Sequence, residues 1–276
     1  SHLAELCVQK GFQVSAFDRY NTNNHWGWLE ESPYKEEMRI ILGDVRDYDS
    51  VFKAMEGCVS VFHLAALIGI PYSYISPLAY IRTNVEGTYN VLEAAKHHGL
   101  QQVLITSTSE TYGTAQYVPI DEKHPLVGQS PYAASKIAAD QLSLSYFRSF
   151  GLPVKIVKPF NTYGPRQSAR AVIPNIIAQC HSDAGKINLG NLEPKRDLTF
   201  VKDTCEAFIE IFQTRSFLGE VANIGMNTEI SIGELAKEIM GLLNVDLPIA
   251  SDQKRIRPEK SEVERLVCCN EKLLKY

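Results

Sequence analysis

Apolar residues come in short runs separated by amphipathic stretches. Residues 1–10 place Leu3, Leu6 and Cys7 on one helical face, and Gly11 stops that helix. Residues 12–17 alternate as a strand does, 38–42 read as a short apolar strand, 48–56 as a short helix behind Asp47, and 59–64 as another strand. A long helix is predicted over 77–98, ending at Gly99, then a strand over 102–106. A second long helix is predicted over 131–150, ending at Gly151, and a strand over 154–157. Strand–helix alternation with apolar strands predicts an α/β fold: a doubly wound parallel sheet covered on both faces. Beyond residue 160 turns dominate, with helices near 172–180, 201–213 and 232–243. This organisation predicts residues 1–160 as a nucleotide-binding unit. Residues 161–276 follow as a smaller C-terminal substrate lobe interleaved with it.

A doubly wound sheet normally opens with a strand and a Gly-rich turn ahead of its first helix. Here the sequence opens on the helix and stops inside helix-like Leu273-Leu274-Lys275-Tyr276. The expectation is a fold truncated at both ends. Composition narrows the chemistry further. With 28 Lys+Arg against 32 Asp+Glu, the net charge is −4, so broad attraction to nucleic acid or an anionic membrane is not expected. The longest apolar stretch, 59–70, is broken by Ser60 and His63 and is too short to span a bilayer. Residues 1–10 carry Glu5 and do not read as a leader, so the expected location is cytoplasmic. The six cysteines form no C-x-x-C pair and no zinc spacing, so reduced thiols and no metal are expected.

Several polar residues fall where an open α/β sheet places its ligands, at the C-terminal ends of strands. Asp18 ends the first predicted strand, where an acid accepts hydrogen bonds from adenosine ribose hydroxyls and repels a 2′-phosphate. That favours NAD over NADP, although Arg19 beside it can pair with a 2′-phosphate. Asp44 follows the second strand, where a carboxylate can meet the adenine amino group with Val45 against the ring. His63 reads as a core histidine with no catalytic role. The sharpest constellation joins Thr108-Ser109-Glu110 with Tyr132-Ala-Ala-Ser-Lys136. Tyr132 and Lys136 are one helical turn apart and share a face. A neighbouring ammonium lowers a tyrosine pKa and makes the phenol a candidate general base. A bare Y-x-x-x-K is also an ordinary solvated helix face. Its pairing with a hydroxyl-rich strand end about 24 residues earlier is what makes it specific. Arg166, Arg196 and Arg257 lie next to turn residues and suit bidentate recognition of a diphosphate, or are surface cations.

Together these residues resemble the extended short-chain dehydrogenase/reductase family of nucleotide-sugar epimerases, dehydratases and decarboxylases, over essentially the whole chain. The resemblance implies a Rossmann-like sheet, an NAD cofactor, a nucleotide-sugar substrate and a homodimer through helices 77–98 and 131–150. It places Ser1-His-Leu just after the family's glycine loop, so the first strand and that loop are expected to be missing and NAD binding to be weak. It assigns Asp18, Asp44, Val45, Leu64, Ala65, Ala66, Asn84, Tyr132, Lys136, Pro159 and Phe160 to the dinucleotide. It assigns Asn161, Arg166, Val172, Ile187, Leu189, Arg196 and Arg257 to the nucleotide sugar. Thr108, Ser109, Glu110, Tyr132 and Lys136 would be catalytic. Thr-Ser-Glu at 108–110 is similar to UDP-glucuronate decarboxylases and to a set of N-acetylhexosamine 4,6-dehydratases. The stretch Asn161-Thr-Tyr-Gly-Pro-Arg-Gln-Ser-Ala-Arg-Ala-Val-Ile-Pro174, with Gly69–Tyr74 and Arg257–Arg265, resembles the legionaminic-acid-pathway N-acetylglucosamine 4,6-dehydratases, with UDP or GDP as the nucleotide. Ser109 departs from the aspartate of other dehydratases, which would protonate the leaving hydroxyl. Decarboxylation, C4 epimerisation and a non-catalytic fragment are the alternatives.

Overall fold

Apolar strands and capped helices assemble in the predicted alternation in the computed structural model, which describes residues 1–183, 185–252 and 258–276. The elements run α1 (His2–Gln9), β1 (Val14–Arg19), β2 (Met38–Gly43), α2 (Tyr48–Ala54), β3 (Ser60–His63), α3 (Ile70–Ile75), α4 (Pro77–Tyr80) and α5 (Gly87–His98). They continue with β4 (Gln102–Thr106), α6 (Pro131–Phe150), β5 (Val154–Pro159), β6 (Asn161–Tyr163), α7 (Val172–Cys180), β7 (Ile187–Leu189), β8 (Lys195–Arg196) and β9 (Leu198–Phe200). Last come α8 (Val201–Gln213), β10 (Val221–Ile224), β11 (Ile230–Ser231), α9 (Ile232–Leu243), β12 (Ile249–Ser251), β13 (Arg265–Leu266) and α10 (Glu271–Leu274). The central sheet has the order β10-β5-β4-β3, every pair parallel, and β1 and β2 form a separate parallel ladder. Shorter ladders, β6-β9, β7-β12 and β11-β8-β13, build the C-terminal part.

Helices cover both faces of the sheet, as parallel strands require. One core layer joins Val51 of α2, Leu92 and Ala95 of α5 and Leu144 of α6 to Val103, Ile105, Val154 and Ile156 of β4 and β5. The other joins Leu3 and Cys7 of α1 and Phe208, Ile209 and Ile211 of α8 to Leu104, Val157, Ala222 and Ile224. A third core lies between α7, α9, β7 and β12. Two buried lysines interrupt the apolar pattern of β5. Lys155 donates to the carbonyls of Ile211, Phe212 and Thr214, closing the C-terminal end of α8. No helix among the described residues is long and apolar enough to cross a membrane.

The single helix predicted over 77–98 is instead α4, a π-helical turn over residues 81–86, and α5. The wider turn accompanies a tertiary contact. Asn84 is fully buried and spends its side chain on the backbone N–H and C=O of Leu67 and on Ser135 Oγ, while its own carbonyl accepts from Thr88 Oγ1 at 2.6 Å. Gly87 then lets α5 sit directly on Val45, where a Cβ would come within 2.8 Å of Val45 Cγ1.

Two stability tests follow. Gly219 precedes β10 at φ 73°, and a Cβ there would lie 2.2 Å from Phe147 Cε1. Gly219→Ala should cost about 2–4 kcal/mol of unfolding free energy, read from the denaturant midpoint. His63 is buried at the end of β3, bonded to Thr88 Oγ1 at 3.0 Å, and burial pushes its pKa down to about 3, with the Lys136 charge adding to the effect. Below about pH 6.5 the unfolded chain binds a proton there that the native one does not. Stability should therefore fall on acidification from about pH 6.5 toward 3, with a limiting slope of about 1.4 kcal/mol per pH unit from this group. His63→Gln should remove that component of the slope in chemical-denaturation curves taken across the range.

Candidate active site

The chain leaves β4 at Thr106 and turns at once. Ser107 N–H donates to Val157 O at 2.7 Å, and Thr108 caps a 3-10 turn over Ser109–Tyr112, its side chain accepting from Glu110 N–H at 3.3 Å. Opposite, α6 begins under local control: Ser130 Oγ accepts from Ala133 N–H at 3.1 Å and Pro131 supplies a preset first turn. Tyr132 and Lys136 therefore lie one above the other on the buried face of α6. Lys136 Nζ donates to Thr106 O at 2.6 Å, and the Tyr132 hydroxyl is hydrogen-bonded to the Thr108 side chain. The Tyr80 ring meets the Tyr132 ring edge-on at 6.2 Å, with the Tyr80 hydroxyl held by Gly69 O.

The electrostatics correct one expectation. Burial pushes the Tyr132 phenol well above its ordinary value. The Thr108 hydrogen bond opposes this, while the Glu110 and Asp140 charges add to it. Lys136 has its own pKa lowered by desolvation, with Asp140 pulling the other way. An ammonium one turn away does not outweigh the loss of water around a buried phenol. Glu110 is half-buried and close enough for its charge to act on Tyr132; Ser109 is buried.

On the other side of the strand ends, Asp18 lines a cavity of about 660 Å³ with Arg19, Tyr20, Asn21, Asn23, His25 and Gly27. Asp18 Oδ1 accepts from the Arg19 N–H at 2.7 Å, and Asn21 shapes the loop by accepting from the N–H groups of Asn23 and His25. Leu64 and Ala65 are exposed and Ala66 and Pro159 half-buried at neighbouring strand ends. Two polar atoms at the end of β4 and the start of β6, Thr106 Oγ1 and Asn161 Oδ1, are buried without a hydrogen-bond partner. A carboxylate at a strand end, small side chains such as Ala65 and Ala66, and unmet polar atoms fit a dinucleotide.

Other expected contacts are spent inside the protein. Val45 is buried under Gly87 rather than open to a ring, because α5 approaches closely there. Asn84 latches Leu67 to α6 instead of lining a surface. Phe160 packs in a buried cluster with Tyr112, Ile120 and Leu266. Ile187 and Leu189 fill the third core, since alternate residues of β7 face α7 and α9. Asp44 takes both an Nε and an Nη hydrogen bond from Arg46, which holds its carboxyl below the usual range. An exposed pair of this kind is worth at most about 1 kcal/mol and yields readily to a ligand. Arg166, at φ 68°, donates to Glu5 Oε1 of α1 at 2.8 Å and is not spent on the lobe. Arg196 is buried with Glu262 Oε1 at 3.7 Å, and Val172 is half-buried at the start of α7. Arg257 lies outside the described residues. Sequence reasoning missed Tyr80, Asp140 and Lys158. The signal for the last two was a charge inside an otherwise apolar helix face or strand. Among the described residues no cluster of His, Cys, Asp or Glu could hold a metal.

Residues 1–275 match the GDP-mannose 4,6 dehydratase family. A mouse dTDP-D-glucose 4,6-dehydratase is 32% identical over 217 residues, 78% of this chain and 61% of that protein, so the chain spans under two thirds of the length of such relatives. A UDP-N-acetyl-alpha-D-glucosaminuronate decarboxylase of Bacillus cytotoxicus is 34% identical over 251 residues, 87% of this chain and 75% of that protein. A solved dTDP-glucose 4,6-dehydratase of Streptomyces venezuelae, with NAD and a nucleotide sugar bound, superposes with a TM-score of 0.87 at 25% identity, covering 99% of this chain and 86% of that one. With its doubly wound sheet and its Thr108–Tyr132–Lys136 cluster, the chain belongs to the GDP-mannose 4,6 dehydratase family, within the extended short-chain dehydrogenase/reductases.

Proposed function

We propose that the chain is an NAD-dependent 4,6-dehydratase of a nucleoside-diphosphate N-acetylhexosamine. The observation that supports this best is the convergence of Tyr132 and Lys136 of α6 with Thr108 and Glu110 of the turn after β4. Asp18, Asp44, Leu64, Ala65, Ala66, Pro159, Tyr132 and Lys136 are the proposed dinucleotide contacts. Asn161, Val172 and Arg196 are proposed for the nucleotide sugar. Bound NAD supplies a hydride acceptor for C4 and a hydride donor for C6. Tyr132, oriented by Thr108, takes the O4 proton in its phenolate form, the minor form of so buried a phenol, with the Lys136 ammonium below it. Oxidation at C4 acidifies the C5 proton, and Glu110 is the carboxylate placed to remove it. The hydroxyl at C6 then departs as water, protonated by Glu110 or through a water held on Ser109. A proposed homodimer uses the face of α3–α5 and α6, where Tyr72, Ile75, Leu78, Ile81 and Phe150 are exposed.

A second reading, decarboxylation of the corresponding uronate, has one observation in its favour. The positive charge of Arg170 reaches Tyr80, whose ring packs on Tyr132, and a substrate carboxylate would need a cation there. The Bacillus relative supports the same reading.

Mass spectrometry of products separates the readings. Loss of water from UDP-N-acetylglucosamine in the presence of NAD⁺ is the expected result; loss of carbon dioxide from the uronate alone would establish the second. Tyr132→Phe should lower kcat by about 10²–10⁴-fold with little change in nucleotide-sugar affinity. Glu110→Gln should still oxidise C4, so absorbance of the reduced cofactor accumulates while water loss stops. Unchanged dehydration by that variant would remove Glu110 from the mechanism.

A further inference from the structure

Two buried charges lie behind the site and take no part in the chemistry described. Asp140 sits one helical turn beyond Lys136 on α6, and Lys158 sits in β5; both are at most 2% exposed. Asp140 Oδ2 accepts from Ser107 Oγ at 2.7 Å and lies 3.3 Å from Lys158 Nζ. Lys158 Nζ donates to Thr111 Oγ1 at 3.0 Å and lies 4.6 Å from the Tyr112 ring centroid. Thr111 Oγ1 donates in turn to Thr108 O at 2.8 Å. On the other side, Ser107 follows Thr106, whose carbonyl holds Lys136. The contacts close a loop through α6, the end of β4, the 3-10 turn and β5.

We propose that Asp140 and Lys158 are positioning residues: a buried strut that sets the Thr108–Glu110 turn against the Tyr132–Lys136 face and gives Lys136 its counter-charge. This rests on the dehydratase reading and assigns the strut no contact with substrate. A buried ion pair is a poor way to gain stability, because desolvation consumes most of the attraction and apolar residues of similar volume often do as well. What such a pair does supply is direction. Each of its members here reaches a residue adjacent to, or one turn from, a reacting side chain. The charge effects run the same way, since Asp140 raises the pKa of both Lys136 and Tyr132. The other titratable groups facing this pocket are Glu110 and Tyr112 from the turn, Glu122 from the following loop, His63 from β3, Tyr80 from α4 and Cys268 after β13.

The test is the pH dependence of turnover in Asp140→Asn, Lys158→Met and the double variant, with wild type and Tyr132→Phe alongside. Asp140→Asn should lower kcat about 10–100-fold with KM changed less than about threefold. Both limbs of its kcat/KM profile should move to lower pH, because a nearby anion has been removed. The double variant removes both members of the pair, leaves Lys136 on the Thr106 carbonyl, and should fold with a thermal midpoint above that of either single variant, yet remain slow. A double variant with wild-type turnover, or an Asp140→Asn profile with unmoved limbs, overturns the strut while leaving the dehydratase reading standing. A wild-type chain that turns over no nucleotide sugar overturns that reading and the strut with it.

Discussion

An ammonium removed from water must be met by oxygen, and Lys136 meets the carbonyl that ends β4. Much of the site's arrangement depends on that contact. It fixes how far α6 sits from the strand end, and so brings Tyr132, one turn earlier, to the side chain of Thr108. Asn84 secures the same helix from the opposite direction through Ser135, and in doing so widens the helix that carries it. A hydrogen bond to a charged group contributes about 1.5–3 kcal/mol, but leaving that charge buried without it costs more. The arrangement is therefore held by the penalty for any alternative.

Local signals made the long helices and the parallel sheet legible. Ser130, Pro131 and Gly151 bracket α6 in the sequence as they do in the structure, and the helix runs over the predicted residues. The π-turn was not legible, because its cause is a contact between Asn84 and the distant Leu67. The two- and three-residue strands of the C-terminal part were equally hidden. β8 pairs with β11 on one side and β13 on the other, and nothing within Lys195-Arg196 announces either partner.

The same division runs through the site. Tyr132 and Lys136 were legible because a helix puts such residues on one face, and Thr108 because strand ends carry polar ligand groups. Val45, Phe160, Ile187 and Leu189 lie in the core, and hydrophobicity alone does not separate a ligand wall from a core. Asp140 and Lys158 entered no expectation, because only the closed fold buries them together. Asp197 belongs with these: fully buried, it accepts the N–H groups of Met226, Asn227 and Cys268, and burial raises its carboxyl pKa. It ties Arg196 beside it to two distant loops.

The sheet order carries a consequence for how such a protein can change. β10 comes from the late part of the chain yet pairs with β5 in the central sheet, and α8 seals one of that sheet's two cores. The part of the chain beyond residue 160 is therefore no exchangeable cassette. Cutting it away near residue 160 would strip a strand from the sheet and a wall from its interior. Change is confined instead to the loops between shared elements, one replacement at a time, while the framework stays whole.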